Sequence, residues 1–519
     1  MKKILTFISS LLLAVTFATP VNAASGDYSV YQKTLSTFSS NATTLSAQQR
    51  AQVKAAVDAN PNAEKFICTG IRYFSQPTSV NIMVRKRAKA ACDYAKQLNP
   101  ALSTWFQNKP TQARSYAGKV LLTVKTSNSA TSCTLAPEES GDLTLNIGTA
   151  LPLTGNLAFL GDPMQAGVYL AMNEIYEANA GIEVITEWGD SGDVSNQAYS
   201  TEIPRLLRAG SQVVIGSASS GVSLQFIDEL VDACVVQISP ANTASAFSTY
   251  RDNGMYFRTA PSDLLQAEVM ADLIAKDGHN SVSMIVLNDS YGTGLASAIS
   301  QSFKELGGSV LATPTFTDGT QQYSSQIATA LASDPDALVI ISFDELPDII
   351  TQIGARFSSR NIYLVDGNLT NYSDVLPQGA LAGAQGTYPA VDETKISDFI
   401  AKMNNYWNES GLPALELDAY GAESYDAAIL AALAALEARS TNGANIAAKL
   451  REVSGGSGDG TKCFTFASCA RIINLGGTAD YEGPSGSVDF NAVGDPTDKG
   501  AFLIQSYGFD NIPYTTGTG

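Results

Sequence analysis

Four short stretches carry side chains able to hold a charged small molecule. In Ile215-Gly-Ser-Ala-Ser-Ser-Gly-Val, residues Ser219, Ser220 and Gly221 stand between an apolar run and the helical stretch 224–231. Ile238-Ser-Pro-Ala-Asn-Thr-Ala carries Ala241, Asn242 and Thr243, with Asn242 or Thr243 placed to cap a short helix. Leu287-Asn-Asp-Ser-Tyr-Gly-Thr-Gly sets Tyr291 at a helix entrance, and Tyr363-Leu-Val-Asp-Gly ends a strand on Asp366. Hydroxyls and free N–H groups at helix starts receive a carboxylate as it leaves water. An acid facing such a site would hold an ammonium, so the set suits a zwitterion. A fifth stretch, LNIGTALPLTGNLAFLGDPMQAG (145–167), supplies a strand, a glycine loop with Thr154, Gly155 and Leu160, and a helix from Pro163.

The same residues argue against catalysis. IGSASSG lacks the G-x-S-x-G spacing of a nucleophile elbow. A nucleophilic serine also needs a base, and His279, the sole histidine, sits in a polar turn far along the chain. With one histidine and no C-x-x-C pair, neither a metal site nor a cofactor is expected.

Strands alternating with amphipathic stretches must position these loops. Strand candidates fall at 143–150, 183–188, 212–215, 235–239, 282–288, 310–316, 337–342 and 362–365, with helical stretches such as 264–275, 295–306 and 345–357 between them. That alternation predicts an α/β fold of parallel sheets covered on both faces. The units outnumber one open sheet, so we expect two doubly wound lobes joined by a hinge, with the ligand between them. The first lobe spans 142–258 and 384–455, the second 259–383 and 456–510, and a frayed tail follows at 511–519. Ahead of them come a signal segment (1–23), a compact α+β block (30–126) and a polar linker (127–141).

The opening Met-Lys-Lys, the short apolar run 4–18 and Val21-Asn22-Ala23 describe a cleaved secretory signal. No cysteine stands at that cleavage point, so a lipoprotein is not expected; the mature protein belongs in a periplasm, a cell-wall space or the medium. A net charge of −18, from 32 Lys and Arg against 50 Asp and Glu, argues against nucleic acid and anionic membrane surfaces. Six cysteines in an exported chain invite disulfides. Cys68 pairs locally with Cys92 and Cys463 with Cys469, while Cys133 lies in the linker and Cys234 in an apolar run, where it reads as a buried hydrophobe. In the first block, Ser46 caps a helix, and 65–70, 84–98 and 118–125 complete an αβαβ unit that the Cys68–Cys92 bridge would pin.

The phrases CTG, RAKAACDYAKQL and GKVLLTV make this block resemble the OmpA-like peptidoglycan-binding domain. The resemblance implies that Arg87 helps hold a diaminopimelate carboxylate. Tyr73 stands where that family carries an aspartate, so a spacer or folding role is the other reading. Residues 142–510 resemble the type 1 periplasmic substrate-binding proteins of the leucine/isoleucine/valine receptor family. LPLTGNLAFLGDPMQAG, VVIGSASSGVS, ISPANTA, YFRTAPSDLLQA, VLNDSYGTGLA and YLVDGN arrive in that family's order. The resemblance implies that Ser220 and Thr243 bind a carboxylate with the Ala241 backbone. It also implies that Asp366 faces the ammonium, that Tyr291 lines the pocket and that Leu160 covers it. Asn242 stands beside them, where amino-acid receptors carry a small residue. The expected partners are a small solute, an amino acid or an amide or carboxylate analogue, and the permease of an ABC importer. The alternative is a wall-associated structural or sensory binding protein.

Overall fold

A computed structural model of the protein describes residues 28–61, 63, 65–73, 78–100, 102–111, 117–127, 133–389, 393–415, 417–497 and 502–518. The signal segment lies outside them. The chain divides into two compact units, one ending at Thr131 and one beginning at Ser132.

In the first unit, the helices Ala47–Asp58 and Thr78–Leu98 accompany a four-stranded sheet. Ser46 caps the first helix through a capping box with Gln49. The strands Tyr28–Thr34 and Ser103–Thr111 flank the two expected ones. Sequence pattern misses both; in Ser103–Thr111, Pro110 and the polar Gln-Asn-Lys run break the strand signature, and a proline is tolerated on such an edge. Cys68 is bonded to Cys92.

The second unit holds two parallel sheets of identical winding. The first runs Ile182–Glu187, Leu143–Ala150, Val213–Gly216, Val236–Ser239, Tyr256–Arg258. The second runs Ser309–Ala312, Ser281–Leu287, Ala337–Ile341, Ile362–Leu364, Gln385–Pro389, then the antiparallel strands Phe502–Tyr507 and Pro513–Thr518. In each sheet the strand order reverses beside the first strand in sequence, and such reversals open a crevice at the strands' carboxyl ends. The expected strand 310–316 is split at Pro314, which cannot donate to the ladder.

Three expectations are corrected. Gln385–Pro389 belongs to the second sheet, and the chain re-enters the first lobe with the helix Glu393–Glu409, later than 384. It stays there through the helices Gly421–Ala438 and Gly443–Val453 and a small sheet at 461–487, because these bury their apolar faces on the helix Gly161–Ala178 and its neighbours. A methyl on Gly167 would stand 2.0 Å from the Gly421 carbonyl oxygen, so only glycine permits that helix pair to pack. The return to the second lobe therefore follows Asp495 and not residue 455. The tail is no frayed end: Pro513–Thr518 pairs with Phe502–Tyr507, anchored by Asn511, whose side chain binds the Leu376 and Pro377 carbonyls and the Leu381 amide. Finally, Cys234 is not a free hydrophobe; it is bonded to Cys133, tying the linker to the first lobe. Cys463 is bonded to Cys469.

Candidate functional site

The reversal point of the first sheet lies between Leu143–Ala150 and Val213–Gly216, and its loops form one wall of the site. Thr154 donates to Asp190 (2.5 Å), and Asp193 accepts from the Asn156 amide (3.1 Å), so the glycine loop is fixed by two acids. Leu160 follows it, buried in one apolar cluster with Tyr420 and with Tyr291, Phe343 and Leu369 of the opposite wall. In the next loop Ser217 binds Ser223 (2.9 Å) and Ser219 caps the helix Ser220–Asp232, accepting from Val222. Ser220 is buried at the first turn of that helix, where its hydroxyl accepts from the Ala244 amide at 3.3 Å.

The third loop is built differently from expectation. Neither Asn242 nor Thr243 caps a helix; the short turn Ser245–Thr249 starts without a side-chain cap. The Asn242 amide donates to the Ser217 and Ala218 carbonyls (2.9 and 2.8 Å) and accepts from Tyr256 (3.1 Å). It staples two loops together and has no group left for a ligand. Ser239 braces the same turn, accepting from the Ala241 and Asn242 amides. Ala241 and Thr243 are buried beside it.

The opposite wall comes from the second sheet. Asp289 caps the helix Ser290–Glu305 and sets Tyr291 in its first turn, stacked on Phe343. The Tyr291 hydroxyl donates to Asp366 Oδ1 at 2.8 Å. Gln266 donates to the same oxygen (2.9 Å), and Tyr420 to Oδ2 (2.9 Å). Burial raises the Asp366 carboxyl above its ordinary value, and these three donors offset only part of that rise. The walls also touch directly: Asp318 of the second lobe accepts from Asn156 (3.3 Å) and Ser195 (2.8 Å) of the first.

Three contributors are absent from the sequence reading: Asp263, Gln266 and Tyr420. Asp263 is 0 % exposed, and neither of its carboxylate oxygens has a hydrogen-bond partner. Burial, then the charge of nearby Asp366, drive its carboxyl well upward; the Thr243 hydroxyl alongside offsets this only in part and satisfies neither oxygen. An unmet buried carboxylate is costly unless something completes it. Sequence conceals this acid because an aspartate after the cap Ser262 is ordinary in a first helical turn. Tyr420 has no sequence signal, since it stands in a left-handed conformation just before a helix.

Arg87 in the first unit differs from its expected role. It is 3 % exposed, lies over Phe38 and donates to the Ala42, Gly118 and Ser39 carbonyls. The guanidinium clamps backbone and is not offered to a ligand carboxylate.

A family model described as periplasmic binding protein matches residues 144–470. A substrate-binding protein of a chemotactic signal transduction system from Halobacterium salinarum, BasB, is 27% identical over 299 residues, 56% of this chain and 68% of that protein. The Leu/Ile/Val-binding protein BraC3 of Rhizobium johnstonii is 30% identical over 198 residues, 37% of this chain. The matched stretch spans only 53% of that relative's length. Among solved structures, the leucine-binding protein LivK of Thermotoga maritima superposes with a TM-score of 0.56 at 21% identity, over 72% of this chain and 98% of that one. The branched-chain amino acid binding protein LivJ of Streptococcus pneumoniae, bound to isoleucine, gives 0.55 at 20% identity, over 72% and 99%. These structures share the fold of two wound lobes.

Proposed function

The chain belongs to the periplasmic binding protein family, and from that premise we propose that it captures an α-amino acid between its lobes for an ABC importer. The observation that carries this reading is Asp263: a buried carboxylate with two unmet oxygens, beside Asp366. A ligand ammonium between them would supply the missing donors and cancel the repulsion of two like charges. The ligand carboxylate would meet Ser220, Thr243 and the amides near Ala241, at the positive end of the helix Ser220–Asp232. Tyr291 would hold the ammonium side through Asp366, and Leu160 would close over the aliphatic part.

The names of the relatives support this choice, since several are Leu/Ile/Val-binding proteins. Binding and not catalysis is the role of such proteins, and a permease is the natural recipient of the closed form. Their extracytoplasmic place accords with the export signal read at 1–23. No described helix is long and apolar enough to cross a membrane. For the OmpA-like block we favour a spacer role, because the Arg87 guanidinium is engaged by carbonyls.

A thermal-shift screen of amino acids, amides and carboxylates tests the proposal. A solute at about one hundred times its Kd adds roughly 2.7 kcal/mol to stability, readily seen as a rise in Tm. Amino acids should give the rise. A rise confined to carboxylates without an amine would overturn the reading.

A further inference from the structure

A second cavity shares Tyr420 with the cleft and lies where the helix Glu393–Glu409 of the first lobe approaches the strands Gln385–Pro389, Phe502–Tyr507 and Pro513–Thr518 of the second. It encloses about 290 Å³. Tyr388, Ile400, Leu503 and Ile512 give it an apolar wall, and Glu423 and Tyr420 stand in its floor. Among the described residues, no lysine or arginine lines it. Glu423 is 8 % exposed, and the charges of Asp426 and Asp418 add to burial in disfavouring its ionised form. Burial pushes its carboxyl up to about 8. A buried carboxyl facing a largely apolar cavity, with no described cation lining it, is completed by a cation that brings its own apolar body.

We propose that this cavity is a second binding site, for a small apolar amine whose ammonium pairs with Glu423 while its alkyl or aryl body fills the apolar wall. The site stands one side chain from the cleft. Tyr420 lines the cavity and donates its hydroxyl to Asp366 Oδ2 at 2.9 Å. An occupant touching elements of both lobes favours the lobe arrangement in which the cavity exists, so amine and cleft ligand bind with positive coupling. The coupling rests on the amino-acid reading of the cleft; the amine site itself does not.

Calorimetric titration of the full chain with benzylamine tests the site, with benzyl alcohol as the uncharged counterpart. Benzylamine should bind saturably at one equivalent, and benzyl alcohol about tenfold more weakly, a loss of roughly 1.4 kcal/mol. Glu423→Gln should weaken benzylamine by a similar factor. Ile400→Trp, which fills the wall from a partly exposed position, should abolish binding even if Glu423→Gln folds poorly. Asp366→Asn should leave benzylamine binding in place. Absence of saturable binding, or binding lost in Asp366→Asn and kept in Glu423→Gln, would overturn the proposal, the latter by placing the amine in the cleft. Failure of amino acids to bind the cleft leaves this titration unaffected.

Discussion

Arg258 and Asp263 are five residues apart, both fully buried, and the fold treats them in opposite ways. Arg258 donates to Asp495 (2.6 Å), Ser248 (2.9 Å) and the Ala244 and Asn242 carbonyls (2.9 and 3.3 Å), while Asp495 accepts a further bond from Ser248. Every part of that charge is answered from within the protein. Asp263 has no partner on either oxygen. A buried charge with all partners present is architecture, and one with its partners missing marks where something else must enter. Here Arg258 fastens the third loop to the segment around residue 495, and so holds still the wall that Asp263 faces.

The comparison breaks most visibly at Arg258. Arg258→Ala strands Asp495 in the interior and should cost about 3–5 kcal/mol in denaturant unfolding. A loss below roughly 1 kcal/mol would mean the network is not structural. Next comes Asp366→Ala. It should weaken amino-acid binding about a hundredfold, roughly 2.7 kcal/mol, since truncating one partner of a buried charge pair costs that order. Its folding stability should fall by less than this, because relief of the charge crowding at Asp263 offsets part of the cost of leaving Tyr291, Gln266 and Tyr420 without their acceptor. An unchanged affinity in calorimetry would remove Asp366 from the site.

A pH series separates the two kinds of acid. Burial raises Asp344 to about 6, Asp426 to about 7, and Glu345 and Glu423 to about 8. Their ordinary values are 3.8 for aspartate and 4.5 for glutamate. The folded state therefore holds more protons than the unfolded one between those limits. Stability of the empty protein is fullest below about pH 4 as far as these groups go, and declines as pH rises through about 8. Affinity for an ammonium should move the other way, rising as Asp263 and Asp366 ionise. Thermal melts and titrations at pH 5 and pH 8 check both signs.

Much of this was legible in the sequence, for a physical reason. Parallel strands buried on both faces leave continuous apolar runs, and the turns after them leave glycines and hydroxyls; these located the sheets and the loops that carry Ser220, Thr243, Tyr291 and Asp366. Periodicity could not assign Gln385–Pro389 to its sheet, because a strand's own pattern says nothing about which neighbour it pairs with. Asp263 and Tyr420 stayed hidden because their positions look local, a first-turn acid and a residue before a helix, while their roles come from distant partners. Asn242 erred in the other direction. Its place in the loop suggested ligand contact, and tertiary packing assigned its amide to two carbonyls. The Cys133–Cys234 bridge, spanning 101 residues, was invisible to reasoning from local spacing.

The central claim is that the cleft requires both charges of an amino acid. Calorimetry on the full chain should compare the amino acid that most stabilises it with its decarboxylated amine and its deaminated acid. Each truncated analogue should bind at least about a hundredfold more weakly, the loss expected when buried polar groups are left unpaired. Equal affinity for the deaminated acid would contradict it, because Asp263 and Asp366 would then face no cation.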